Sequence, residues 1–485
     1  MLKMDYKDIA AKKGQIRAGD EKLSALKKKA GKLTAGERAL KLLDGGSFVE
    51  LDALNAAGVI TGYGTVDGRP VTLFAHDFVQ RGGAMNEAQA KKILKILDMA
   101  RKNGAPVAML LDTDGICLDE GMAPLKGYSL VLSQLARMSG VCPLIAVVLG
   151  NCIGIPAMIA ELADMTIMAE NVGALAAFGP QVIASANHTD TDMKKSAGAD
   201  IMAAQGAVSI AAKDEDEAFE KLKEAIGLLP SSNLEDADIV DTDDMNRATA
   251  LVDAEDAHAL IAELADGGQY LELSETYAKG VVTALCRMGG RTVAIVATNK
   301  KAFPLLCEKA LKKAARFVRM ADCYHIPVVS LVNTDGLSVP EADRQKPLMA
   351  AGAQLLYAYA EATAAKITLI TGSAIGQSYV ALCGGADITY AWPCAVISAL
   401  TPEAAAQILC KEQLEDSAAD ASVALDEIAE RYCVEQAGAL CAAQAGLIDD
   451  VIDPATTRQL IIANLEMLAS KRDANFPKKH GNLPL

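Results

Sequence analysis

The chain repeats itself once. Gly58-Val59-Ile60-Thr61 returns as Gly280-Val281-Val282-Thr283, and Gly68-Arg69 returns as Gly290-Arg291, each displaced by 222 positions. Leu111-Asp112-Thr113-Asp114-Gly115 returns as Val332-Asn333-Thr334-Asp335-Gly336, and Gly150 and Gly154 return as Gly372 and Gly376. Asp164, ahead of Met-Thr-Ile, matches Asp387, ahead of Ile-Thr-Tyr. A period this long is a duplicated domain, since solenoid units run to only about 20–50 residues. Length alone would suggest about three domains for 485 residues. The repeat points to two homologous ones, with an N-terminal helical segment at 1–50, a first domain at 51–245 and a second at 246–485.

Each copy alternates short apolar strands with amphipathic helices. Copy one has Val71–His76, a helical stretch over Asn86–Arg101, then Val107–Leu111, a helix over Leu130–Met138 and the continuous apolar strand Leu144–Leu149. Copy two has Val293–Val296, a helix over Ala302–Met320, Val328–Val332 and Ile367–Ile370. This pattern predicts an α/β fold whose strands are covered on both faces. The charged run from Ala211 to Glu217 and the acidic stretch ending at Asp244 read as a solvated linker between copies.

Composition narrows the function. A net charge of -15 argues against nucleic acid as the main partner. The basic N-terminus lacks the apolar core of a secretory signal, and no window is long and apolar enough to span a membrane. A cytoplasmic location is expected. The 11 cysteines show no C-x-x-C spacing, and with only 5 histidines no metal site is expected. The thiols read as small buried hydrophobes.

Four glycine-containing turns follow the strands: Thr113–Ile116, Gly150–Gly154, Thr334–Leu337 and Gly372–Ser378. Ligands favour the carboxyl ends of strands in such sheets, and glycine lets backbone N–H groups approach them closely. Few acids or bases lie nearby, chiefly Asp112, Asp114, Asp119, Glu120, Asp335 and Glu341. Asp114 and Asp335 read more simply as caps of the next element. Neither a G-x-S-x-G elbow nor a P-loop is present. Backbone donors with few ionisable partners suit stabilisation of an oxyanion.

These residues resemble the carboxyltransferase subunits of biotin-dependent acyl-CoA carboxylases and, equally, the α subunits of biotin-dependent, sodium-pumping acyl-CoA decarboxylases. The resemblance rests on Glu37–Leu51, Val59–Gly64, Asp67–Val71, Arg81–Ala88, Lys313–Arg319, Gly352–Thr363, Tyr390-Ala391-Trp392-Pro393 and Thr401–Ala405. It implies duplicated crotonase-like domains of the ClpP/crotonase superfamily. It implies transfer of a carboxyl group between carboxybiotin and the α-carbon of a short-chain acyl-CoA, of the propionyl/methylmalonyl type. Acyl-CoA would dock on the first domain, and biotin on the second domain of a neighbouring subunit in a hexamer. The implied catalytic positions are Gly154 and Ile155 in one oxyanion hole, and Gly376, Gln377 and Ser378 in the other. The implied binding positions are Arg81, Gly82, Gly83, Ala84, Gly115 and Ile116 for acyl-CoA, and Gly336 and Leu337 for biotin. No Ala-Met-Lys-Met biotinyl site occurs in the chain. Biotin would therefore arrive on a biotin carboxyl carrier protein charged by a biotin carboxylase, or the partner would be a membrane decarboxylase subunit.

The chain departs from the family pattern. Where the family has Cys-Ala-Gly-Gly-Ala it has Cys152-Ile153-Gly154-Ile155-Pro156, placing an imino acid at the expected second donor. Its Thr113-Asp114-Gly115-Ile116-Cys117 replaces Ser-Gly-Gly-Ala-Arg, and Gly376-Gln377-Ser378 replaces Gly-Gly-Ala. A catalytically weakened CoA-binding or structural partner in a mixed complex is therefore an alternative. A crotonase-type hydratase or thioesterase fits the end-to-end match less well.

Overall fold

The structure, a computed structural model, describes residues 6–55, 57–240, 243–341, 345–409 and 421–483. The chain divides into two compact units, Met1–Ala237 and Asp238–Leu485. Each holds one mixed sheet of eight strands.

Unit one contributes β1 (Val49–Leu51), β2 (Val59–Val66), β3 (Arg69–His76), β4 (Val107–Thr113), β5 (Leu144–Ile153), β6 (Met165–Ala169), β7 (Ala174–Ala176) and β8 (Ile210–Ala212). Unit two contributes β9 (Tyr270–Leu273), β10 (Val281–Met288), β11 (Arg291–Thr298), β12 (Val328–Thr334), β13 (Lys366–Ile375), β14 (Ile388–Ala391), β15 (Val396–Ser398) and β16 (Asp450–Val451). The first sheet runs β1-β2-β3-β4-β5-β6-β8, with β7 on β5. The second runs β9-β10-β11-β12-β13-β14-β16, with β15 on β13. The two orders are the same, so the sequence repeat is a repeat of topology.

Hairpin chemistry is repeated too. Asp67 and Gly68 turn β2 into β3 with φ of 50° and 77°. Their N–H groups donate to the carboxylate of Asp44 at 3.0 and 2.9 Å. In unit two Gly289 and Gly290 make the turn, and their N–H groups donate to Asp266 at 2.9 and 2.7 Å. Asp266 stands 222 positions after Asp44. From β3 and β11 onward the central strands pair in parallel. Helices cover them: Glu87–Asn103 and Ala123–Met138 in unit one, Glu308–Cys323 and Gln345–Glu361 in unit two. The Glu87–Asn103 helix opens on an Asn86/Gln89 capping box and closes on Gly104 at φ 62°. Ile93, Ile96, Leu97, Val131, Leu135 and Met138 pack against Met109, Leu111, Ala146 and Val148 in one apolar core. No helix among the described residues is long and apolar enough to cross a membrane.

Several sequence expectations need correction. The strand expected to stop at Leu149 runs on to Ile153, because Asn151–Ile153 pair with β7; β13 likewise runs to Ile375 by pairing with β15. The turns are thereby confined to Gly154 and Gly376. The helix expected from Ala302 begins only at Glu308. Before it, Pro304 O accepts the Asp335 N–H at 2.9 Å, and Leu306 bridges Leu337. The stretch Ala211–Glu217 is not a linker. It holds the end of β8 and, after the Asp214 cap, the start of the Glu215–Leu228 helix. Glu215 is buried there and paired with Arg38 at 2.5 Å. The reading of every thiol as buried fails at Cys307, Cys323 and Cys394, which are exposed.

Candidate functional site

In each unit two adjacent parallel strands end side by side, and each leads into a glycine turn. In unit one β4 pairs with β5, with Thr113 opposite Cys152. The turn after β4 passes through Gly115 at φ 122°, and a Cβ there would lie 3.4 Å from Ile153 O. Met85 then bridges Ile116: Met85 N–H donates to Gly115 O and Cys117 N–H to Met85 O, both at 3.3 Å. This pattern passes over the N–H of Ile116, which donates to no acceptor among the described residues. The turn after β5 is fixed by the Gly154 N–H, which donates to Ala176 O at 2.8 Å. The next N–H, on Ile155, likewise meets no described acceptor. Pro156 follows in helical conformation (φ -57°, ψ -27°) and starts the Ala157–Glu161 helix.

Unit two has the same construction. Leu306 N–H donates to Gly336 O and Ser338 N–H to Leu306 O, both at 2.9 Å, which leaves the Leu337 N–H without a described acceptor. Gly376 N–H donates to Ser398 O at 2.7 Å, and Gln377 and Ser378 then open the Gln377–Leu382 helix with N–H groups that meet no acceptor among the described residues. Gly376 has φ 59°, and a Cβ on it would stand 2.8 Å from Ala399 O. Ser378 is buried, and its hydroxyl donates to Ile375 O at 2.7 Å. Beside the Leu337 turn lies a cavity of about 390 Å³, lined by Cys307, Glu308, Ser338, Pro340, Pro347 and Leu348. This is within the usual range for small-ligand pockets.

The remaining sequence-derived positions gather in unit one. Arg81, Gly82 and Gly83 follow one another in left-handed conformation, at φ 52°, 64° and 71°. Gly82 O accepts the Asp114 N–H at 2.9 Å, and Gly83 packs on the Asp112 backbone. Ala84 caps this short turn through its N–H to Arg81 O. The Arg81 guanidinium reaches outward, 3.1 Å from Cys117 Sγ and 3.5 Å from Glu120. Asp114 caps no helix. Its carboxylate accepts the Asn151 amide at 2.6 Å and lies against Gly82. Desolvation there raises its pKa against the pull of Asn151.

Sequence reasoning missed what lies beneath this turn. Asp112 is fully buried, with Arg38 at 2.8 Å, Lys27 at 3.4 Å and Lys32 at 3.6 Å. Burial pushes its pKa up, but Arg38, Lys32 and Lys27 outweigh burial and hold its carboxyl below the ordinary range. The cations all come from the segment before β1. The unit-two counterpart, Asn333, is neutral and uses its amide locally, donating to Ala254 O at 3.0 Å and accepting from Ser373 N–H at 2.9 Å. The one available signal was a carboxylate closing an otherwise apolar strand.

Such a protein is a duplicated α/β chain that presents, in each unit, backbone donors at the carboxyl ends of two central strands. The carboxyl transferase domain family matches residues 26–483, and the chain belongs to that family. It is 37% identical to the methylmalonyl-CoA decarboxylase subunit alpha of Veillonella parvula, over 98% of this chain and 97% of that one. It is 35% identical to the propionyl-CoA carboxylase carboxyltransferase subunit of Haloferax mediterranei, over 97% of each. It superposes on the transcarboxylase 12S structure, a hexamer with methylmalonyl-coenzyme A bound, at a TM-score of 0.93 and 34% identity, over 100% of this chain and 99% of that one. The fold is the duplicated crotonase-like α/β fold, and the chain is a carboxyltransferase.

Proposed function

We propose that the protein moves a carboxyl group between biotin, carried on a separate protein, and the α-carbon of a short-chain acyl-CoA of the propionyl/methylmalonyl type. The observation that carries this reading is the repetition of one donor arrangement, Ile116 with Ile155 and Leu337 with Gln377, at equivalent strand ends of both units. Loss of the carboxyl from a malonyl-type thioester leaves an enolate whose charge lies on the thioester oxygen. Two N–H groups fixed in advance stabilise that charge without reorganising. In unit one those groups are Ile116 and Ile155, so the reaction does not depend on an N–H at Pro156. Gly154 and Gly376 shape the turns, their own N–H groups being spent on Ala176 and Ser398. Arg81, Gly82, Gly83, Ala84 and Gly115 form the acyl-CoA side.

Unit two suits biotin. Leu337, Gln377 and Ser378 offer N–H groups to a ureido oxygen, Gly336 lets the backbone approach, and the neighbouring cavity has Pro340, Pro347 and Leu348 for an apolar ring. When bound, biotin supplies a ureido nitrogen that takes up the carboxyl group as its proton passes to the α-carbon of the thioester. The expected setting is a cytoplasmic homohexamer served by a biotin carboxyl carrier protein and a biotin carboxylase. The likeness to a decarboxylase alpha subunit supports a second setting, with a membrane decarboxylase subunit as the partner.

The test uses Gln377→Pro, which removes one donor at the first residue of the Gln377–Leu382 helix, a position where proline is accommodated. Transfer from methylmalonyl-CoA to free biotin is expected to be abolished while acyl-CoA binding persists. Undiminished transfer would refute the biotin-side assignment.

A further inference from the structure

The two units place an ammonium near the carboxyl ends of their central strands by different routes. In unit two it is Lys300, just past β11. Its Nζ donates to Asp335 Oδ1 at 2.7 Å and to Ser373 Oγ at 3.4 Å. Asp335 opens the turn to Leu337, and Ser373 lies on β13 three residues before Gly376. In unit one the position 222 residues earlier is Phe78, which has no charge. There Lys32 arrives from the N-terminal segment, with Nζ 5.5 Å over the Phe78 ring and 3.6 Å from Asp112 Oδ1. A cation thus stands near these strand ends in both units, on Asp335 in unit two and on Asp112, the counterpart of Asn333, in unit one, so the charge recurs although neither the residue that supplies it nor the carboxylate that holds it does. Holding the turn together does not explain it, because unit one already ties Asp114 with a neutral amide, Asn151.

Lys300 has capacity left. An ammonium carries three donors. Asp335 and Ser373 take two, and the Glu255 carboxylate, at 3.9 Å, is beyond hydrogen-bond reach. The side chain is 20% exposed, so the third donor has an open direction. We propose that Lys300, aimed by Asp335 and Ser373, binds the carboxylate in transit at the biotin-side site, while Leu337 and Gln377 hold the neutral ureido oxygen. This rests on the carboxyltransferase reading above. It assigns the charged part of the ligand to a side chain and the polarisable carbonyl to the backbone.

The experiment compares the full chain with Lys300→Gln and Lys300→Arg. Three quantities are measured: carboxyl transfer from methylmalonyl-CoA to saturating free biotin, the equilibrium Kd for uncarboxylated biotin, and the KM for methylmalonyl-CoA. Lys300→Gln is expected to lower kcat at least about tenfold, as loss of a charge-assisted contact does, with Kd and KM within about twofold. Lys300→Arg should recover most of the loss. If Lys300→Gln loses its native circular dichroism, Ser373→Ala replaces it; it frees one anchor of the amine and should cost about threefold in kcat with the same unchanged Kd. A kcat within twofold of wild type would overturn the proposal, as would a biotin Kd that weakens in step with kcat. A wild-type chain that carboxylates no biotin would instead overturn the carboxyltransferase reading, and the role of Lys300 with it.

Discussion

Replacing Arg38 by Met would expose how far the first site depends on the segment that precedes it. The Arg38 side chain is 1% exposed, and its guanidinium makes four hydrogen bonds: to Asp112 at 2.8 Å, to Leu149 O at 2.6 Å and to both oxygens of Glu215 at 3.1 and 2.5 Å. Methionine keeps the apolar stem and removes every donor. Asp112 would retain Lys27 and Lys32 at longer range, but Glu215 would be left buried without its partner. Breaking a buried pair by deleting one partner costs about 3–5 kcal/mol, because the other charge stays desolvated. In a unit of this size each kcal/mol moves Tm by about 2–4 °C, so the unit-one transition should fall by about 6–20 °C. Urea unfolding followed by circular dichroism measures the loss. Adding Asp112→Asn should then cost less than it does in wild type, since its main cation is already gone. A loss below about 1 kcal/mol would refute the claim that this cluster fixes the segment to the sheet.

Three further outcomes follow from the geometry. Pro156→Ala adds an N–H, yet in the proposed site, where Ile116 and Ile155 are the donors, kcat should stay within about threefold; a gain of about a hundredfold would place the missing donor at 156. Burial lowers the pKa of His76 from 6.5 to about 4. The unfolded chain therefore takes up a proton there near pH 6.5 and the folded chain only near pH 4. Stability is full above pH 6.5 and falls by about 1.4 kcal/mol per unit, some ~3 kcal/mol in all, as pH drops to 4. In His76→Gln, urea midpoints between pH 7 and 4.5 should show a correspondingly flatter decline. Gly83→Ala puts a Cβ against Asp112 O and 3.1 Å from Thr113 Cα at a φ of 71°. It should cost about 1–3 kcal/mol and weaken acyl-CoA binding, read by thermal melting and a direct Kd.

Much of this fold is legible in the sequence because it is written twice. Gly68 and Gly290, and Gly154 and Gly376, are fixed by left-handed backbone geometry that few other residues satisfy, so these turns kept their glycines through duplication. Strand ends were harder to read. Nothing between Gly150 and Ile153 says that β7 will extend β5, since a partner strand distant in sequence decides it. The charge cluster was hidden for a similar reason. Arg38 and Glu215 look like ordinary surface charges, and Asp112, the carboxylate that closes an apolar strand, names neither partner until the fold brings the three remote segments together. The donors carry no sequence mark either. An N–H is present at nearly every residue, and only the turn decides that Ile116, Ile155, Leu337 and Gln377 meet no acceptor among the described residues.

The most direct test is a structure of the protein with an acyl-CoA and biotin bound. The thioester oxygen should lie about 2.7–3.1 Å from the backbone nitrogens of Ile116 and Ile155, and the ureido oxygen at the same range from Leu337 and Gln377. A thioester oxygen held elsewhere, or biotin bound away from the Leu337 and Gln377 turns, would contradict the assignment of one backbone site to each ligand.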